Sequence, residues 1–552
     1  MVKSSYLFLS FIFFILVGCA TSMKDIINDY RGAFLAGEYE KASKLLEKTK
    51  IHESRRDILL WHMEKGTLSL GEGKEDEAIN HFQTALDIID NLYTTKVSNV
   101  LSSYLLNDRY ADFQGANYER SYVHYFLSKS YYSRYLKNGL KLDLQGARAT
   151  ILAWDTYFTN YQRSTSSRSL YSTDLMLKVF GGEVHEASQI RSDLQIALQL
   201  YKDALDILNS QGGIFSIFNE KNTEYIKSFE ANKKRPSQDL YVKTKAFEEL
   251  QDFLHYKILS LTKSIRGGEF KNLVKTLKAK KEIVTRASKG PGNVSLVLEE
   301  GLIPQKVGKP FNFGLKGAMD AVDDDKAKKF IATVGAEFVT AFAMNKLKLT
   351  PTAAGGAGSF IFAHEVTKYS VKEAAIAFEL PIIEEVTPVE RLYMFILNDQ
   401  GKIVEQGPMP VVTENGDLAR VVLEEDVVSR FVATGTRVAV KHIVAIVGAM
   451  QVYQTMKKSS GEGGEFLATT AAVASYTAMA TGISALEEAD VRHWTTLPQA
   501  FRMEELKLPP GNYQLGVARY IEGKAPQSPS KILGQFQVND NRKQIFHFKL
   551  TL

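Results

Sequence analysis

Between Cys19 and Gly290 the chain contains a single proline, Pro236. Proline lacks an N–H and its ring blocks the preceding turn, so helix interiors exclude it. A long stretch so poor in breakers, with apolar residues recurring every three or four positions, predicts stacked helices. The pattern breaks at Lys289-Gly290-Pro291-Gly292. That is the expected boundary between a helical domain, 19–288, and a second domain, 289–552.

Small and large residues alternate inside the helical half at fixed offsets. Ala78, Phe82 and Ala85 follow Gly66 and a turn at Gly73, and Ala197, Tyr201 and Ala204 repeat the spacing. Ala42 with Leu46, and Ala147 with Ile151 and Trp154, give partial copies. This is the spacing of tetratricopeptide (TPR) repeats, where small residues let paired helices approach and a large one fills the gap between hairpins. The leading alanines lie 36, 69 and 50 residues apart, so the repeat is degenerate and carries insertions. The expectation is a TPR-like all-α solenoid; the alternative is an irregular helical bundle. Tyr118, Tyr122, Tyr125 and Tyr132 share helical spacing, with Tyr131 and Tyr135 on an adjacent face. They read either as solenoid core or as an aromatic groove that binds a peptide or glycan. Lys275, Lys278, Lys280 and Lys281 read as a solvated helix face.

The second half changes period. Val294 to Leu298 is a strand that runs into a turn at Glu299-Glu300-Gly301-Leu302-Ile303-Pro304. Further strands are expected at Ala377–Ile383, Leu392–Leu397, Lys402–Gln406, Arg502–Leu506, Tyr513–Arg519, Ile532–Val538 and Gln544–Leu550. Helices are expected at Lys326–Asn345 and Asp417–Met456. Phe466 to Leu486 is a run of 21 uncharged residues, long enough to span a bilayer but dominated by Ala, Thr, Ser and Gly. The same small residues suit a helix packed closely within the protein. The fold class is therefore α+β: a helical solenoid followed by a small β-sheet or sandwich with inserted helices.

The chain has one cysteine, Cys19, and its setting is a bacterial secretion signal. Lys3 is the positive region, Tyr6 to Val17 carry no charge, and small Gly18 precedes the cysteine. Leu16-Val17-Gly18-Cys19 resembles a lipobox, which predicts removal of residues 1–18 between Gly18 and Cys19, and a covalent lipid on Cys19. Two or three acyl chains at roughly 0.8 kcal/mol per buried methylene hold a protein on a membrane essentially permanently. With Cys19 lipidated, disulfides, thiolate catalysis and cysteine-zinc sites are excluded. Ala20 rather than Asp follows the cysteine, which by resemblance to Gram-negative lipoproteins favours the outer membrane, facing the periplasm. The formal net charge of +5 is too small to argue for nucleic acid.

Catalytic constellations do not emerge. His364-Glu365 lacks the second histidine of a zincin helix, and Gly355 to Ser359 lacks the Gly-Lys-Ser/Thr ending of a P-loop. Asp323-Asp324-Asp325 is an acidic helix start rather than an ion cage, and the ten histidines are scattered along the sequence. Asp490, Arg492 and Trp494 carry two readings. Arg492 pairs with Asp490 or a partner carboxylate while Trp494 fills a pocket, or the segment is a buried latch holding the Ala-rich helix onto the sheet.

Glu487 to Pro498 followed by Leu508-Pro509-Pro510-Gly511, with Tyr118-Glu119-Arg120, His124 to Leu127 and Glu300 to Pro304, resembles an uncharacterised family of TPR-containing bacterial lipoproteins with a β-rich C-terminal module. The resemblance implies cell-envelope work and supplies no catalytic residue. The expected function is a lipid-anchored periplasmic scaffold that holds an envelope protein, in envelope or peptidoglycan assembly, with no cofactor beyond the lipid and no enzyme activity. The alternatives are a glycan-binding or cell-wall-modifying protein, or an accessory subunit of an export complex.

Overall fold

A computed structural model describes residues 23–95, 109, 111–164, 171, 173–209, 238–314, 375–383, 389–420, 464–520, 524–540 and 542–551, with scattered residues between 422 and 456. Gly18, Cys19, Asp323 to Asp325, the expected helix at Lys326–Asn345, Gly355 to Ser359 and His364-Glu365 lie outside the described residues, as does part of Asp417–Met456.

The chain is α+β. The proline-poor half forms consecutive helical hairpins. These are α1 (Met23–Leu35) with α2 (Tyr39–Lys48), α3 (Ile58–Gly71) with α4 (Glu75–Thr95), α5 (Asn117–Asn138) with α6 (Lys141–Ser164), and α7 (Leu175–Ala187) with α8 (Arg191–Asn209). Then come α9 (Gln238–Ile265), α10 (Phe270–Leu277) and α11 (Lys281–Ala287). The first three hairpin turns close through Gly37, Gly73 and Gly139 at φ of 75°, 73° and 70°, a left-handed conformation that glycine adopts without a Cβ clash. The spaced residues Ala42, Leu46, Ala78, Phe82, Ala85, Ala147, Ile151, Trp154, Ala197, Tyr201 and Ala204 are all buried. Lys275, Lys278, Lys280 and Lys281 are exposed.

Strands follow: β1 (Val294–Glu300), β2 (Lys306–Gly314), β3 (Ala375–Ile383), β4 (Leu392–Asn398), β5 (Ile403–Pro408), β6 (Val411–Glu414), β7 (Ala500–Leu506), β8 (Gly511–Arg519), β9 (Lys531–Val538) and β10 (Gln544–Leu550). One four-stranded sheet has the order β10-β1-β7-β6, with β10 and β1 parallel. A second has the order β5-β4-β8-β9, antiparallel throughout, and β2 pairs with β3. Each expected strand lies on one of these. The β2 and β6 strands were not expected: Gly308 and Pro310 interrupt the first, and the second is only four residues long.

Period-two alternation explains how the layers stack. Val294, Leu296 and Leu298 of β1 join Met394 and Ile396 of β4 and Leu515 and Val517 of β8 in a core between the two sheets. Val297 of β1, Phe501 and Met503 of β7 and Ile545 of β10 turn the other way and join the helical core around Tyr125, Phe126 and Phe180. The layers are thus helices, sheet and sheet. All seven residues of β1 are buried because it is covered on both faces. Helix gives way to strand between Ala287 and Val294, but the apolar core runs across that boundary.

The Ala-rich run forms α12 (Gly464–Leu486), whose Ala472, Met479 and Ile483 pack against Ala445 and Ala449. Among the described residues no helix is long and apolar enough to cross a membrane.

Candidate functional site

The polar chemistry of the described residues concentrates where the helices meet the β10-β1-β7-β6 sheet. On the helical side, α5 presents Tyr125 and Lys129, α7 presents Glu183 and Glu186, and α9 presents Lys257. On the sheet side, β1 presents Ser295 and Glu299, β7 presents Glu505, β10 presents His547, and Lys543 immediately precedes β10. Alternation puts these strand residues on the same face as Val297, Phe501 and Ile545.

The largest node is a five-charge cluster without solvent access. Lys257 Nζ lies 2.9 Å from Glu183, 2.6 Å from Glu186 and against Glu505. Lys543 lies 2.7 Å from Glu183 and also against Glu505. Tyr201 donates to Glu186 at 2.6 Å, Tyr256 donates to Glu505 at 2.9 Å, and Ser295 donates to Glu183. Burial pulls Lys257 down, but its three carboxylates outweigh that and hold the ammonium well above its usual range. Burial likewise pushes Glu505 up, and Lys257 with Lys543 reverses it, to about 2. Glu186 is raised because burial dominates there. The carboxylate oxygens of Glu183, Glu186 and Glu505 lie within 4.8 Å of one another, close enough for a metal ion. In this arrangement two lysine ammoniums already supply the positive charge, so the cluster acts as a weld between α7, α9, β7 and β10.

A second node lies further along the sheet. Glu299 accepts from Lys129 and, at 3.0 Å, from Tyr125. Burial raises Glu299, and Lys129 and Lys549 outweigh it, so the carboxylate is held below its usual range. Lys549 is lowered by burial against the opposing pull of Glu299. Its ammonium sits 4.1 Å from the Phe34 ring centroid and 5.0 Å from that of Tyr39. A small cleft opens here, lined by Phe34, Leu35, Glu299, Leu302, Lys549 and Thr551 among others.

The sequence candidates fall as follows. Tyr118, Tyr122 and Tyr125 do not form an open groove; all three are buried, at 2%, 0% and 0% exposure. Tyr122 stacks on Phe501 with ring centroids 5.3 Å apart, and Tyr125 reaches Glu299. The tyrosine row therefore meets the protein's own sheet, which corrects the partner-binding reading. The apolar area and hydroxyl handle that suit a groove serve an internal interface equally well.

Arg492 and Trp494 form a latch, but its target corrects the expectation. Arg492 pairs bidentately with Asp490 at 2.8 Å and reaches Asp57, just before α3, at 2.7 Å. Trp494 is fully buried between Phe82 and Phe126, and its backbone N–H donates to Glu119 at 2.7 Å. Thr495 and Thr496 donate to the buried Glu64, as does Tyr30 at 2.9 Å. Segment 490–496 thus locks into the helical half between α1, α3 and α5, rather than fastening α12 to the sheet. Sequence reading missed Glu183, Glu186, Lys257, Glu505 and Lys543. The available signal was charge inside apolar runs, such as Lys257 within His255-Tyr256-Lys257-Ile258-Leu259.

No family model matches the chain, and no match is found among the curated proteins or the solved structures.

Proposed function

We propose that the protein is a lipid-anchored scaffold, tethered through Cys19 to the outer membrane and facing the periplasm, whose outer helical surface holds an envelope protein. The anchor rests on Lys3, the uncharged Tyr6–Val17 run and the Leu-Val-Gly-Cys sequence. Reading the helical half as a degenerate TPR-like array is supported by a repeated close approach. A Cβ on Gly66 would meet the Phe82 ring at 2.8 Å, and one on Gly182 would meet Tyr201 at 2.5 Å. Each is a small residue of one helix seated on the large residue of its hairpin partner.

TPR-like arrays commonly offer an inner surface to partners. Here Tyr122, Tyr125 and Phe126 of the helices pack against the sheet, so this reading puts docking on the helix faces turned away from it. The carrying observation is exposed apolar surface. Leu140, Leu142, Leu152, Ile190 and Ile196 are half of the large apolar side chains that the described residues leave exposed, and Leu142 and Leu152 reach 75% and 68%. They lie on or beside α6 and α8, which Arg148 and Asp193 join at 2.7 Å. Apolar surface concentrated on neighbouring helices marks an interaction face more often than scattered single residues do. No catalytic step belongs to this reading.

The test is capture from crosslinked envelopes with the lipidated chain and with a Leu142→Glu/Leu152→Glu variant of unchanged circular dichroism. A protein captured by the wild type and lost from the variant supports the scaffold. Equal capture by both, or sedimentation with purified peptidoglycan and no captured protein, contradicts it.

A further inference from the structure

His62 and His81 are 19 residues apart in sequence, yet their Nδ1 atoms lie 3.0 Å apart across the seam between α3 and α4. The ring centroids are 5.1 Å apart and the planes are inclined by 49°. Both side chains are half-buried, so water reaches them while the helix backbones fix their spacing. The seam is set by packing: Phe82 sits against Gly66 one turn along, and Ser69 faces Glu77 beyond it.

The spacing is informative. Metal–imidazole bonds are about 2.0–2.1 Å long. Two such nitrogens at right angles on one ion are therefore about 2.9 Å apart, and at a tetrahedral angle about 3.4 Å. The observed 3.0 Å, the length of a hydrogen bond between the two rings, lies at the short end of this range, so one ion can reach both nitrogens. We propose that His62 and His81 form a two-imidazole site for a divalent transition metal, Cu(II) first by the general affinity order, with water in the remaining positions.

A metal takes imidazole in its neutral form. Without metal, one Nδ1–H donates to the other Nδ1. Metal binding needs both lone pairs, so that proton moves through water to the Nε2 of the same ring. Each imidazole then carries one Nε2–H, and no net proton is released. Lys65, one turn from His62 on α3, is tied to Ser43 Oγ at 2.7 Å. Glu77 contributes the opposite sign of charge near His81. Among the described residues the only group of three metal-type donors is the glutamate cluster, so this pair has no third protein ligand and is a surface site of modest affinity. Because the ion ties α3 to α4, occupancy stabilises the hairpin by mass action.

The experiment uses the full lipidated chain in detergent without a polyhistidine tag, with Cu(II) as the probe. Electron paramagnetic resonance and chelator competition are read on wild type, His62→Gln, His81→Gln and the control His52→Gln, all checked by circular dichroism. The expected result is one Cu(II) per chain with splitting from two imidazole nitrogens. Either ligand variant should weaken binding at least about tenfold, given that outer-shell partners alone are worth roughly 10–100-fold; the control should be unchanged. A two-nitrogen signal that persists in both ligand variants, or its absence from the wild type, overturns the assignment. So does a wild-type melting temperature that Cu(II) leaves unchanged.

Discussion

Lys257 shows what one residue does at the seam between the helices and the sheet. It pairs with three carboxylates at a point where water cannot screen them. Breaking a buried ion pair from one side leaves uncompensated charge and costs about 3–5 kcal/mol. Lys257→Met should therefore destabilise the protein by at least that much in urea unfolding, and adding Glu186→Gln should recover part of the loss. Equal stability of wild type and Lys257→Met would show that the cluster contributes nothing. The buried histidines set the acid side. His124 is lowered by burial to about 4 and His493 to about 3, against an unfolded value near 6.5. The unfolded chain binds these protons first, so their stabilising effect is complete above pH 6.5 and is lost as the pH falls toward 4 and 3. Glu505, held at about 2, loses its contribution only below about 4.5. Relative to wild type, His493→Gln should gain roughly 2 kcal/mol between pH 7.5 and pH 5, at about 1.4 kcal/mol per pKa unit. A pH-independent difference would contradict the buried neutral imidazole. None of these pairings was legible in the sequence, because Glu183 meets Lys543 from the far end of the chain. Composition records that charges exist, and only topology says which ones meet.

At the scale of elements, local rules carried most of the information. Scarce proline and spaced small residues marked the helices, and alternation marked most of the strands. What escaped was β2, whose Gly308 and Pro310 mimic a turn, and short β6, which reads as the approach to a helix. The tyrosine row of α5 was placed on a helix correctly, but its face could not be assigned. Helical period says which residues share a side and is silent on what covers it. Close helix approach is testable directly. Gly182→Ala forces a Cβ into the Tyr201 ring and should cost about 1–3 kcal/mol by overpacking. Gly32, inside α1 with nothing within 4 Å, is the contrast: Gly32→Ala should stabilise by about 0.5–1 kcal/mol. Thermal unfolding of both variants checks the pair, and shifts of the same sign would refute the packing argument.

At the scale of the whole molecule, the helical half closes on its own C-terminal half. Residues 294–300 lie between two cores, segment 490–496 is threaded among α1, α3 and α5, and the five-charge cluster draws on both halves. Glu505 and Lys543 of the second half complete the ion pairs of Glu183, Glu186 and Lys257 of the first. A boundary that is sharp in sequence composition is therefore not a seam in stability. Native-state hydrogen exchange across a denaturant series tests this most directly. The account predicts that the slowest amides of α5 and α7 and those of β1 and β7 open together, with one free energy and one denaturant dependence. Opening of the strands at a lower free energy than the inner helices, or the reverse, would contradict it.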